Sequence, residues 1–120
     1  MLSWPPTVKI FLGAEPTDMR KGFDSLAHLV ESSMALDSLS GHLFVFRSRR
    51  GDRIKVLYWD KDGYALWYKR LEEGVFKMPR IDGDAKSVEL RASELAMMLD
   101  GIDLRSVRRV KRFSRKKQTA

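Results

Sequence analysis

Four arginines crowd one short stretch of this chain, at Arg47, Arg49, Arg50 and Arg53, around the tripeptide Arg50-Gly51-Asp52. A guanidinium is planar, permanently charged, and carries donors in a fork that matches phosphate oxygens. A second concentration of cations is larger. Residues 104–120 hold 8 of the 23 Lys and Arg and no acid: Arg105, Arg108, Arg109, Lys111, Arg112, Arg115, Lys116 and Lys117. The other 15 share residues 1–103 with all 16 Asp and Glu, so that part carries −1 and the whole excess of +7 sits in the C-terminal segment. Such asymmetry goes with polyanion binding rather than with a diffuse basic surface. Arg20 and Lys21 stand at an expected helix start, where the macrodipole disfavours cations, which implies an internal carboxylate or an external anion as partner. The plainer readings are a solvated hairpin tip with edge-protecting charges, and a solubilising tail.

Other chemistries find less support. Asp60-Lys61-Asp62-Gly63 resembles the opening of a calcium loop, but Leu71 stands where the twelfth-position glutamate belongs. A hairpin turn accounts for the same four residues. Arg50-Gly51-Asp52 is likewise read as a turn. His28 and His42 have no metal-ligand spacing to each other or to carboxylates, and no G-x-x-x-x-G-K-[ST] phosphate loop is present. A carboxylate pair for a metal-dependent nuclease does not stand out among the 16 acids. With no cysteine, thiolate zinc and disulfides are excluded. The expectation is a protein that is not an enzyme, with no metal and no cofactor.

The elements that position these groups centre on Leu43 to Pro79. Leu43–Arg49, Arg53–Trp59 and Tyr64–Leu71 read as three strands of an antiparallel meander, joined by turns at 50–52 and 60–63. In the second run Ile54, Val56 and Tyr58 alternate against Lys55, Leu57 and Trp59. In the third, Tyr64, Leu66 and Tyr68 alternate against Ala65, Trp67 and Lys69. Gly63 is available for a left-handed turn position. Large residues on both faces predict a sheet covered on one side and partly occupied on the other. Trp59 and Trp67 are read as cross-strand packing rather than as base-stacking platforms.

Before the meander, Val8–Leu12 is a plausible strand closed by Gly13. Pro16-Thr17-Asp18 reads as a helix entrance capped by Thr17 or Asp18. The stripe Met19, Phe23, Leu26, Ala27, Val30 and Met34 then marks one helical face. Beyond the meander, Val75–Met78 is a candidate short strand and Ser87–Leu90 an edge strand or an approach. A helix from about Ala92 carries Leu95, Met98 and Leu99 inward and ends at Gly101 in a left-handed conformation. Asp103 is placed to cap a last helix through Leu104, Val107, Val110 and Phe113.

The fold expectation is therefore α+β: an antiparallel meander at about 43–78, packed against an N-terminal helix at about 18–34 and a short C-terminal helix at about 92–99. Residues 1–103 form the expected single domain, and 104–120 a basic C-terminal segment, partly helical or flexible. No apolar run approaches the ~20 residues that span a bilayer, and the first residues lack the features of a signal peptide. The expected location is cytoplasmic, without membrane association.

Several stretches carry a resemblance. DMRKGFDSL at 18–26, SGHLFVF at 40–46, RRGDRIKVLYWD at 49–60, GYALWYKRLEEGVF at 63–76 and LDGIDL at 99–104 follow one another in collinear order. Together they resemble the small accessory protein, often called TnpB, of bacterial transposons of the insertion sequence 66 family. Arg91 departs from that pattern, which commonly has Thr or Ser there as a helix cap. The resemblance implies a non-catalytic role in transposition beside a separate, larger transposase. Joined to the charge distribution, it leads to an expectation of binding to transposon DNA, most naturally its ends, or to the transposase–DNA complex. The alternative is an adaptor that docks on the transposase with little direct DNA binding.

Overall fold

The structure, a computed structural model, describes residues 5–101. Its centre is the alternation expected of the meander. Strand β2 (Leu43–Arg47) sends Leu43 and Val45 to one face and Phe44 and Phe46 to the other, and all four are buried. Strands β3 (Arg53–Asp60) and β4 (Gly63–Arg70) continue it antiparallel, with Val45 beside Val56 and Val56 beside Trp67. Strand β1 (Ile10–Gly13) runs parallel to β2, and β5 (Ser87–Leu90) runs antiparallel to β1. The result is one mixed five-stranded sheet in the order β4-β3-β2-β1-β5. Parallel neighbours need a crossover, and helix α1 (Phe23–Ser32) supplies it between β1 and β2.

Both faces of this sheet are covered, more than its sequence suggested. Leu26, Ala27 and Val30 of α1 pack on Phe44, Phe46 and Leu57. On the opposite face Leu95, Met98 and Leu99 of helix α2 (Ala92–Leu99) pack on Ile10, Leu12, Leu43, Val45, Ile54 and Val56. The expected α+β arrangement of a meander with two helices is thus observed, now in three layers. Trp67 lies half-buried against the α2 side, and Trp59 meets Tyr64 edge-on at 5.1 Å between ring centroids.

Several boundaries differ from expectation. Helix α1 starts at Phe23 with Gly22 at its N-cap, so neither Thr17 nor Asp18 caps it. Asp18 is engaged instead in a local turn, its Oδ1 accepting the Arg20 N–H at 2.9 Å. The helix also stops before Met34. Ala35 takes a left-handed φ of 56°, and the Leu36 N–H closes back on the Val30 carbonyl. The β3–β4 turn places Lys61, not Gly63, in the left-handed region (φ 59°), with Asp62 N–H bonded to the Asp60 carbonyl across it. Val75–Met78 is not a strand: the chain from 71 to 86 contains none, and Phe76 is buried in the α2-side core.

Helix α2 begins at Ala92 as expected and lacks a side-chain acceptor at Arg91. Glu94 makes up for this by accepting the Arg91 N–H at 2.8 Å, the half of a capping box that reaches back from the third helical position. Gly101 ends the segment at φ 83°. The proposed cap at Asp103, the last helix and the whole basic segment 104–120 lie outside the described residues. No helix among those described is long and apolar enough to cross a membrane.

Because Met98 is fully buried at the α2–sheet contact, Met98→Ala is expected to lower unfolding free energy by about 2–5 kcal/mol. Leu39, 53% exposed, is expected to tolerate alanine within about 0.5 kcal/mol. Urea denaturation of the two variants checks this. Equal losses would mean that α2 is not docked on that face.

Candidate nucleic-acid interface

The arginine-rich turn is held by bonds on both sides. Gly51 N–H bonds to the Ser48 carbonyl at 3.0 Å with φ 81°, a conformation that glycine adopts without strain. Ser48 Oγ receives the Arg53 N–H and donates to Asp52 Oδ1, both at 3.1 Å. The Gly51 carbonyl in turn accepts the N–H of Phe76, whose ring is buried in the core. A side chain at position 51 would come within 3.6 Å of Val75. The stretch that failed to form a strand therefore braces the turn from outside.

Arg49 and Arg50 are both exposed on this turn. Among the described residues neither has an ion-pair partner, and neither has Arg53. Arg53 Nη1 lies 3.5 Å from the Tyr68 hydroxyl, and Arg53 faces Arg70 across the β3–β4 ladder. Arg70 is paired with Glu72 at 2.9 Å.

The segment before α1 comes alongside. Arg20, Arg49, Arg50 and Arg53 line one shallow depression of about 360 Å³, together with Asp18 and Asp52. Arg20 is engaged by Asp18, which accepts from Nη2 at 2.7 Å and from Nε at 3.1 Å. The internal carboxylate foreseen as one partner for Arg20 is thus Asp18. Hydrogen bonds from Arg20 hold the Asp18 carboxyl well below the ordinary carboxylate range, and the same bonds raise the Arg20 pKa. A depressed carboxyl pKa favours the folded turn above the unfolded value and loses that contribution only as pH falls through the folded one, here in strong acid. The pair is exposed on both sides and screened by solvent.

Not all candidates meet. Arg47 is half-buried, reaching the Ala14 carbonyl at 3.4 Å, and its own carbonyl accepts the Thr17 N–H. Strand β2 ends at Arg47, so its alternation does not carry on to the exposed Arg49. Lys21 lines a different, larger depression of about 700 Å³, where Glu15, Asp18, Asp84 and Lys86 mix both signs. The eight cations of 104–120 lie outside the described residues. His28 is exposed on α1, and His42 Nδ1 accepts the Lys9 N–H at 2.9 Å. No cluster of metal-ligating side chains occurs among the described residues.

One residue that organises this surface was not singled out from sequence. Lys55, only 6% exposed, reaches out of β3 and donates to the carbonyls of Met19 at 2.7 Å and Lys21 at 2.8 Å. Its Nζ also stands 4.7 Å from the centre of the Tyr68 ring. This ties the loop carrying Arg20 to the strand that carries Arg53. The available signal was a lysine in line with Leu57 and Trp59, the apolar half of its face of β3.

A family model described as IS66 Orf2-like protein matches residues 8–109. The chain belongs to that family. It is 40% identical over 105 residues to a protein of Sinorhizobium fredii named "Uncharacterized protein y4hO", covering 88% of this chain and 90% of the relative. A second protein of that organism, "Uncharacterized protein y4jC", is 36% identical over 102 residues, with 85% and 86% covered. No solved structure matches. Membership in the IS66 Orf2-like family makes this a transposition-associated accessory protein.

Replacing Lys55 by methionine keeps the stem but leaves two loop carbonyls without their donor. Charged hydrogen bonds of this kind contribute about 1.5–3 kcal/mol, so Lys55→Met is expected to cost about 2–3 kcal/mol. Amide exchange at residues 19–22 is expected to speed up more than in the sheet. Native-like stability and exchange in that variant would remove the tether from the account.

Proposed function

We propose that this IS66 Orf2-like protein supports transposition by binding duplex DNA of its element. Phosphate contacts would come from the arginine turn and its neighbour Arg20, joined by the C-terminal cations. The observation that carries this reading is the exposure of Arg49 and Arg50 beside Arg20 and Arg53, without carboxylate partners for the turn arginines among the described residues. Counted with these four arginines, residues 5–101 hold 15 bases and 15 acids and carry no net charge. Surplus positive charge beyond that belongs to the cations of 104–120.

Phosphate contacts position a duplex without reading its bases. Engagement of Arg49, Arg50 and Arg53 alone therefore gives sequence-blind affinity, strongly dependent on salt. Discrimination between transposon ends and other DNA then falls to base contacts or to the transposase. The competing adaptor reading has the protein dock on the transposase, with DNA contributing little.

Gel-shift titration across salt separates them. About five phosphate contacts give a slope of log affinity against log salt near −4 to −5. Arg49→Ala/Arg50→Ala is expected to flatten that slope by about two. Changing the eight cations of 104–120 to glutamine is expected to remove most of the remaining affinity. Unchanged slopes in both variants, with a transposase complex that survives high salt, would establish the adaptor instead.

A further inference from the structure

We propose that β4 is a homodimerisation edge, on which a second copy of this chain adds its own β4 antiparallel to make one continuous sheet. This goes beyond the DNA-binding reading and does not depend on it. Strand β4 ends the sheet order, and no described segment pairs with its outer side. It is eight residues long and contains no proline. Edge strands of that length are ordinarily blunted by prolines, bulges or central charges. The other edge, β5, has only four residues with Glu89 among them.

The hydrogen-bond phase of β4 follows from its neighbour. Leu71 N–H bonds to the Asp52 carbonyl, in the same register that pairs Arg53 with Arg70 and Asp60 with Gly63. Bonded and non-bonded pairs alternate along an antiparallel ladder. Ala65, Trp67 and Lys69 therefore bond inward to β3, while Tyr64, Leu66, Tyr68 and Arg70 turn their N–H and C=O groups outward.

Opposed residues of a continuous antiparallel sheet must share a face, which restricts the two-fold registers. The one centred on Trp67 sets Leu66 against the partner's Tyr68 and Tyr64 against the partner's Arg70, so all four outward residues are satisfied. Ala65 then meets the partner's Lys69, and Trp67 meets the partner's Trp67. No like charges oppose one another: each cation of β4 lies across from an alanine or a tyrosine. This self-complementarity in phase, polarity and charge is what commits the edge to a second copy rather than to an unrelated strand. The two Arg53–Arg70 ends would lie on one face of the joined sheet, about 20 Å apart along the strands at ~3.4 Å per residue.

The full-length chain, nuclease-treated and in high salt, is expected to sediment as a concentration-dependent dimer. Tyr68→Pro, which deletes an outward donor at an edge position that tolerates proline, is expected to be monomeric with an unchanged far-ultraviolet circular dichroism spectrum. Because the chain has no cysteine, register can be read covalently. Ala65→Cys/Lys69→Cys is expected to oxidise to a dimer, since those positions face each other at about 4.5 Å between Cα atoms. Ala65→Cys alone leaves its two Cα atoms about 14 Å apart and is expected not to crosslink. The proposal is overturned by a monomer at every concentration, by association that dissolves in salt, by a folded Tyr68→Pro variant that stays dimeric, or by equal crosslinking of the single and double cysteine variants.

Discussion

Lys55 holds the candidate surface together from beneath. Period-two alternation sends Ile54 and Val56 into the α2-side core and Leu57 to the α1 side. At position 55 the same alternation delivers an amine into a largely closed space, where a lysine is tolerated only if its donors are satisfied. The carbonyls of Met19 and Lys21 satisfy it, which fixes the loop between β1 and α1 against β3. The chain thereby brings Arg20 beside the β2–β3 turn, 28 or more residues later in sequence. Tyr68, over whose ring the lysine lies, links the same arrangement to the edge strand.

The surface that results differs from a set of independent charges. Arg20 is held by Asp18 and Arg70 by Glu72, so each has a local partner to exchange before it can serve a phosphate. Arg49 and Arg50 have none among the described residues, and the bonds at Gly51, Ser48 and Phe76 hold the turn that presents them. A held turn loses less entropy when its side chains engage a polyanion. That ordering, rather than the count of cations, distinguishes the turn from other basic positions such as Lys77 or Arg80.

Much of this fold was legible in the sequence, and the reasons are local. The meander announced itself because β-branched and aromatic runs are interrupted by turn-forming residues at 50–52 and 60–63. The start and end of α2 followed from its apolar spacing and Gly101. What failed was decided by competition at a distance. Asp18 looks like a helix cap until Arg20 takes its carboxylate, which leaves Gly22 to begin the helix. Val75–Met78 has the composition of a strand, but Phe76 is drawn into the core and its N–H to Gly51. The arginine cluster was visible as composition; its division into exposed Arg49 and Arg50 and a half-buried Arg47 was not. The role of Lys55 was hidden because it depends on carbonyls 34 and 36 residues away.

The central claim is that the arginines around the β2–β3 turn meet phosphate as a group. Nitrogen-15 spectra of the arginine Nε–H groups in the full-length protein, recorded as a short duplex is added, test it most directly. The account predicts that Arg49, Arg50 and Arg53 shift together and that Arg91, paired near Glu94 on the far side of the sheet, does not move. Shifts confined to arginines of 104–120, with the turn silent, would contradict it.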